Sequence, residues 1–378
     1  MKLSQDVLQY ISDHIQEATD LLIRLAQIPA PSNYEEARAE FCRDWLTAQG
    51  CQGVYIDEAL NVIYPIGCDE HTSLVVFMAH SDVVFPDATP LPLSVSDGKI
   101  HCPGVGDDTA NVMVLMMAAK YLAQQGCMSK DTGVLLVINS GEEGLGNLKG
   151  CRKIMKDFGS RVTEFVSFDG SISSIVNKAV GSRRFQISID TEGGHSYSKF
   201  GNRNAIAYLS ALINDLYNIK VPELGKTTYN VGLISGGTSV NTIAQHAEML
   251  YEFRSDERDA LEIMQRHLDA ALDFYRTKNI SVTCTPVGDR PCSGMIDEAK
   301  HNTLMERTAA AIRQHYGIEP VFRGGSTDCN IPLSMSIPAV AVSCVDGSGA
   351  HTREEYILTD SIKPGLSVGL SLILDHFV

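Results

Sequence analysis

The sequence predicts an α/β protein: a mostly parallel sheet with helices on both faces, interrupted by an inserted α+β domain. Three observations carry this expectation. Four short, nearly continuous apolar runs, at 74–79 (LVVFMA), 134–138 (VLLVI), 165–168 (FVSF) and 339–343 (AVAVS), have the composition of strands buried on both faces. Helices alternate with them, among them the segment at 109–125 (TANVMVLMMAAKYLAQQ), read as a helix with a broad apolar face. Between about 180 and 285 the pattern changes, because 184–190 (RFQISID) and 248–253 (EMLYEF) alternate polar and apolar residues, as an antiparallel sheet with one solvated face requires.

Taken in order, residues 1–27 read as an amphipathic helix, because Asp6, Asp13, His14, Glu17 and Asp20 interrupt its apolar pattern. That pattern excludes a signal peptide. Pro29-Ala30-Pro31-Ser32 ends it, and a second helix follows over 34–49 before Gly50. Within the insert, helices are expected at 204–217 and 257–278, and the parallel pattern resumes near Asp297. A chain of 378 residues is long enough for two domains. The expected organisation is a catalytic domain in two parts, 1–179 and 289–378, around an insert at 180–288.

Composition narrows the function classes. A net charge of -15 argues against nucleic-acid or anionic-membrane partners, which would repel the chain. No stretch of about 18 consecutive apolar residues is present, so no membrane span is expected. The ten cysteines include no C-x-x-C pair, which points to reduced, mostly buried thiols in a cytoplasmic protein.

Ligands of open α/β sheets bind beyond the carboxyl ends of the strands, so the residues just past each buried strand are the candidates for chemistry. The run at 74–79 leads into His80-Ser81-Asp82, and 134–138 into Asn139-Ser140-Gly141-Glu142-Glu143-Gly144. The run at 165–168 leads into Asp169-Gly170, and 339–343 leads through Asp346-Gly347-Ser348-Gly349 to His351. A further acidic pair, Asp107-Asp108, comes after Gly104-Val105-Gly106 and just before the helix at 109–125. Each motif alone has a plain structural explanation: Asp107-Asp108 would cap the next helix, and Glu142-Glu143 would be a solvated turn. Their common position at the strand ends of one sheet makes them a site.

Gathering Asp107, Glu142, Glu143 and Asp169 in one cleft costs on the order of 4 kcal/mol per close pair at an effective dielectric of about 20. Two divalent cations remove that cost and use the carboxylate and imidazole ligands at hand. Asp107, on a tight loop at a helix start, suits a bridging role. Of Glu142 and Glu143, one would bind metal and the other accept a proton from water. Asp82, two residues after His80, is placed to hold the second imidazole nitrogen.

These motifs resemble the zinc exopeptidase/deacylase family of peptidase T, acetylornithine deacetylase, succinyl-diaminopimelate desuccinylase, aminoacylase and glutamate carboxypeptidase. The resemblance extends over Ala350-His351-Thr352 and Glu355-Tyr356-Ile357, and into the insert through Gly193-Gly194-His195-Ser196, Gly236-Gly237-Thr238-Ser239-Val240-Asn241 and Glu252-Phe253-Arg254-Ser255. Cys102-Pro103-Gly104-Val105-Gly106-Asp107-Asp108-Thr109 lacks the arginine and lysine common around the bridging aspartate. The chain is therefore more similar to the peptidase-T-like side. The resemblance implies two Zn2+ per chain, with Co2+ or Mn2+ as substitutes. It implies His80 and Asp169 on one metal, Glu143 and His351 on the other, Asp107 bridging, and Glu142 as general base. It further implies a homodimer formed through the insert, acting as a lid, with His195 reaching the partner's site to stabilise the oxyanion. Arg254 and Asn241 would hold a substrate carboxylate or amide, and Gly325-Ser326-Thr327-Asp328 is similar to the family's substrate-side loop, with Gly325 and Ser326 binding substrate. For Arg254 a salt bridge within the insert is an equal alternative.

The implied activity is hydrolysis of amide bonds in small peptides, as in a di- or tripeptidase. An N-acyl amino acid deacylase or carboxypeptidase of the same family is the alternative. A serine hydrolase is disfavoured because no G-x-S-x-G motif is present. A metal-free, non-catalytic binding protein on the same fold is the rival from another class.

Overall fold

The computed structural model describes residues 2–378, apart from the side chain of Leu145. The chain forms two compact units, Met1–Ala179 with Gly294–Val378, and Val180–Ser293.

The first unit is built on an eight-stranded sheet in the order Tyr55–Ile56, Val62–Ile66, Gly133–Asn139, Leu74–His80, Val162–Ser167, Ala339–Ala341, Ser174–Ala179, Val321–Gly325. Leu74–His80 pairs in parallel with both neighbours, and Val162–Ser167 pairs in parallel with Ala339–Ala341. Alternation along Leu74–His80 divides the interior. Val75, Phe77 and Ala79 join a core formed with the N-terminal helices, Ala110–Gln125 and Ile362–Leu374. Leu74, Val76 and Met78 face a second core shared with Lys149–Phe158 and Asn330–Ser334. Both faces are covered, which is why the central strands are apolar without a break. Twelve of the sixteen residues of Ala110–Gln125 are buried, so this helix has no polar face to reveal its period.

Several boundaries differ from expectation. The N-terminal segment is two helices, Gln5–Asp13 and Ile15–Ala26, broken at His14, whose Nδ1 lies 2.8 Å from the carbonyl of Tyr10. The strand expected at 165–168 runs over Val162–Ser167 instead. Its polar Thr163 and Glu164 had hidden its start, and Val162 and Glu164 pair with Leu74 and Val75. A π-helical turn, Val105–Thr109, precedes the long helix. A small sheet of Gly347–Ser348, Tyr356–Leu358, Lys99–His101 and Ser94–Ser96 has strands too short to leave a pattern.

The second unit is a four-stranded antiparallel sheet, ordered Thr227–Gly236, His246–Ser255, Gly181–Asp190, Ser281–Arg290. Helices Ala205–Tyr217 and Arg258–Arg276 pack on one face, where Ile187, Met249 and Phe253 meet Leu209, Leu212 and Met264. The unit extends to Ser293, with Asp289 and Arg290 paired to Arg183 and Ser182. Among the described residues no helix is long and apolar enough to cross a membrane. All ten cysteines are unpaired, and seven are buried.

Candidate metal centre

His80 ends its strand and is almost fully buried. Its Nδ1 lies 3.0 Å from the backbone carbonyl of Asp82 and 3.6 Å from that residue's Oδ1. Nδ1–H donates to this carbonyl, which leaves Nε2 as the ring's free ligand atom. The Asp82 carbonyl is the nearer of the two partners of this nitrogen, and the Asp82 carboxylate lies behind it. The carboxylate also accepts the N–H groups of Glu142 (2.9 Å) and Glu143 (3.0 Å) and the hydroxyl of Ser32 (2.6 Å). Asp82 thus shapes the loop that carries the two glutamates.

Asp107 lies in the turn before the long helix, where a cis peptide bond joins it to Asp108. Its Oδ1 is 3.1 Å from His80 Nε2, and its Oδ2 is 3.1 Å from His351 Nε2. Glu143 Oε1 lies 3.0 Å from the same His351 nitrogen. His351 is held at φ +64°, a strained value for a non-glycine residue, and its side chain is more than half exposed. Two groups of potential ligand atoms lie within 4.8 Å of one another: His80 with Asp107 and Glu143, and His80 with Asp108 and Asp169. The structure thus brings His80, Asp107, Glu143, Asp169 and His351 together. Glu142, also buried, sits on the same loop.

The electrostatics test whether this donor set fits metal ions. Hydrogen bonds donated to Asp107 and Glu143 push the His351 imidazole up to about 10. Burial lowers the His80 value, but the carboxylates of Asp108 and Asp107 overcome it and raise it well above the ordinary range. Burial raises Glu143 as well. No lysine or arginine pairs with Asp107, Asp108 or Glu143 among the described residues. Histidines are thus the cationic partners of Asp107, Asp108 and Glu143, and the oxygen and imidazole donors of the cluster are those that divalent zinc, cobalt or manganese accept. The residues fit such a group.

Three further residues support the site. Glu355 accepts the backbone N–H groups of Gly104 (2.5 Å), Gly106 (2.8 Å) and Asp107 (2.8 Å), and so fixes the turn that aims Asp107. Burial pushes its carboxyl up to about 7, against those hydrogen bonds. Asp108 accepts the backbone N–H of His80 at 2.9 Å and the amide of Asn111 at 2.6 Å. Asp328 accepts from Asn139 at the end of the strand Gly133–Asn139. Glu355 stood inside a recognised motif, but nothing local marked its target. Asp108 was visible only as the neighbour of Asp107.

Gly325 closes the strand Val321–Gly325, and Ser326 comes directly after it. A Cβ on Gly325 would meet the Val176 side chain at 2.8 Å, so glycine is required there for packing. A cavity of about 200 Å3 opens beside Asp107, lined by Gly106, Gly170, Ser171, Gly347 and Ala350 among others.

The remaining candidates lie in the second unit. His195 belongs to a two-residue strand, Gly194–His195, paired with Thr242–Ile243. Its Nδ1 accepts the N–H groups of Tyr197 (3.3 Å) and Ser198 (3.4 Å), which makes Nε2 the hydrogen-bearing nitrogen. Asn241 accepts Ser196 N–H at its carbonyl (2.9 Å) and Ser239 Oγ–H at its side chain (2.8 Å). Arg254 grips Glu252 with Nε at 2.9 Å and a terminal nitrogen at 3.1 Å.

A carboxylate–imidazole cluster at the carboxyl edge of a mostly parallel sheet defines a class: α/β enzymes that work with bound metal. The chain belongs to Peptidase family M20/M25/M40, whose family model matches residues 76–375. It is accordingly a peptidase or amidohydrolase of a metal-dependent family. Its fold is that of a tripeptidase from Staphylococcus aureus subsp. aureus Mu50 (TM-score 0.75, 20% identity, covering 95% of this chain and 97% of that one). A di-peptidase from Saccharomyces cerevisiae is similar (TM-score 0.76, 16% identity, 97% of each chain). So is a dinuclear metal binding peptidase of the M20 family from Bacillus subtilis (TM-score 0.63, 17% identity, 96% of this chain and 99% of that one).

Proposed function

We propose that this enzyme hydrolyses amide bonds in di- and tripeptides, using two divalent metal ions, zinc first among them. His80 and Asp169 would hold one ion and Glu143 and His351 the other, with Asp107 between them. The observation that carries this reading is the Asp107 carboxylate, which presents one oxygen to each of two imidazoles at 3.1 Å. When bound, such a pair of ions polarises the scissile carbonyl and lowers the pKa of water.

The chain's own residues do the rest. Glu142 accepts the proton of the attacking water and returns it to the leaving amine nitrogen. Asp82 holds this loop still through the N–H groups of Glu142 and Glu143. His195 donates Nε2–H to the oxyanion, acting from the partner subunit of a homodimer formed through the second unit. Arg254 and Asn241 bind the substrate's carboxylate or amide, and Gly325 and Ser326 flank its backbone. The small cavity beside Asp107 suits a short peptide, as do the tripeptidase and di-peptidase names of two proteins sharing the fold. A reducing, cytoplasmic setting suits ten unpaired cysteines.

The test is metal content together with a substrate panel. Two zinc ions per chain, with chelator-sensitive cleavage of di- or tripeptides, is the expected result. Preference for N-acetyl amino acids would transfer the reading to a deacylase. A metal-free dimer without hydrolysis would leave a binding protein.

A further inference from the structure

Behind the ligand cluster lies a carboxyl group without a cation. Asp328 is fully buried, and among the described residues its carboxyl group makes one hydrogen bond, from Asn139 Nδ2 to Oδ2 at 2.7 Å. Its other oxygen, Oδ1, is buried without a partner, and so is Oδ1 of Asn139. Two acceptors on two bonded side chains are orphaned together. Buried polar groups are rarely left so, because each forfeits its hydrogen bond to water.

One proton resolves both. A carboxylic acid and a carboxamide can close a ring of two hydrogen bonds, with amide N–H donating to the acid carbonyl and acid O–H donating to the amide carbonyl. An ionised carboxylate has only acceptors, so it takes the Asn139 amide N–H and offers nothing to the Asn139 carbonyl. We propose that Asp328 is held as a neutral carboxylic acid in the folded enzyme, and that through Asn139 it is a positioning residue for the loop carrying Glu142.

The surroundings agree. Burial is the largest influence raising the Asp328 carboxyl, and the charge of Glu142 comes next; Asp169 adds to it, while His80 opposes. The thiols of Cys151 and Cys329 also face it, and burial pushes both upward, so neither supplies a charge. The pair also sits where three segments of the site converge. Asn139 lies three residues before Glu142, and its carbonyl accepts the N–H (2.7 Å) and hydroxyl (2.8 Å) of Ser81, beside His80. Asp328 ends the loop that begins at Gly325, and its own carbonyl accepts the thiol of Cys151. A neutral link ties these segments together without adding a second negative charge beside Glu142. This consequence rests on Glu142 being the general base; the protonation of Asp328 does not.

Infrared spectroscopy of the zinc-loaded enzyme tests the protonation directly. With aspartate 13C-labelled at the side-chain carboxyl, the wild-type minus Asp328→Asn difference spectrum at neutral pH should contain the C=O band of a protonated acid. An ionised carboxylate band in its place overturns the proposal, whatever the enzyme cleaves. Turnover tests the positioning role. Asp328→Leu should lower kcat by about tenfold or more, and Asp328→Asn, which keeps a donor and an acceptor, should recover most of that loss. If Asp328→Asn is as impaired as Asp328→Leu, the neutral link is not what the site uses.

Discussion

The two units treat their ionisable residues in opposite ways. In the first, Asp82, Asp107, Asp108, Glu143 and Glu355 are buried or nearly so, and each has at least one partner from a distant part of the chain. Glu355 reaches back to Gly104 across 251 positions, and Asn139 meets Asp328 across 189. In the second, Arg254 is about one-third exposed and pairs with Glu252 two residues away, while His246 and Asp190 form a half-exposed pair. Exposed pairs of that kind contribute about 0–1 kcal/mol and need no further reason to exist. A buried carboxylate cluster without counter-charge costs several kcal/mol, so it persists only where something else is gained. The comparison teaches which charges to question. The carboxylates of the site are charges that folding alone disfavours, whereas the Arg254–Glu252 and His246–Asp190 pairs are ones that a sheet surface explains.

Mutations test this contrast. The largest effect is expected at Glu142. Glu142→Gln should lower kcat by roughly 10^2–10^4-fold, the usual value of a general base, while zinc content by elemental analysis stays at the wild-type level. Near-normal turnover would remove Glu142 from the mechanism. Next comes His195→Ala, which should cost about 10^2–10^3-fold in kcat if its Nε2–H reaches an oxyanion. This is the sharpest challenge to the contrast, because an exposed residue of the second unit would then matter almost as much as a buried one of the first. Glu355→Gln should weaken zinc binding by about 10–100-fold, read by competition with a chelator, since the N–H groups it accepts hold the Asp107 turn. Arg254→Ala should raise KM about tenfold for peptides with a free carboxylate and leave it unchanged for their C-terminal amides. Equal KM values for both would leave Arg254 as the surface partner of Glu252 and nothing more.

The same contrast explains what the sequence disclosed. His80, Asp169 and the Glu142-Glu143 pair were legible because each closes an apolar run, and the edge of a parallel sheet is where such runs deliver their ends. Asp107 was legible from the glycines before it. The supports were not. Nothing near Asp108 reveals that its carboxylate holds the N–H of His80, and nothing near Glu355 reveals that it caps a turn some 250 positions upstream. The spacing H-x-D pointed to Asp82 as the partner of the His80 ring, but not to the backbone carbonyl of Asp82, which lies nearer to Nδ1 (3.0 Å) than its carboxylate (3.6 Å). The strands beside Tyr356 went unseen because three residues are too few to show a period.

The smallest expected effect separates a buried neutral acid from a buried charge, and it is read from stability alone. If Asp328 keeps its proton in the folded state, its folded pKa lies above the unfolded value of about 3.9. The folded protein then binds one more proton than the unfolded chain between those two values. The sign is fixed by that difference: the stability this provides is fully present below the unfolded pKa and is lost as pH rises toward the folded one. Within that window, stability should fall by about 1.4 kcal/mol per pH unit relative to Asp328→Asn, which has no proton to lose. Urea unfolding of both proteins at matched zinc, from about pH 5 to pH 8, measures the difference in slope directly. Parallel slopes would mean that Asp328 is ionised when folded. The carboxyl group would then need a counter-charge from the metal centre itself, and the division between ligand cluster and neutral support would move one residue deeper into the wall.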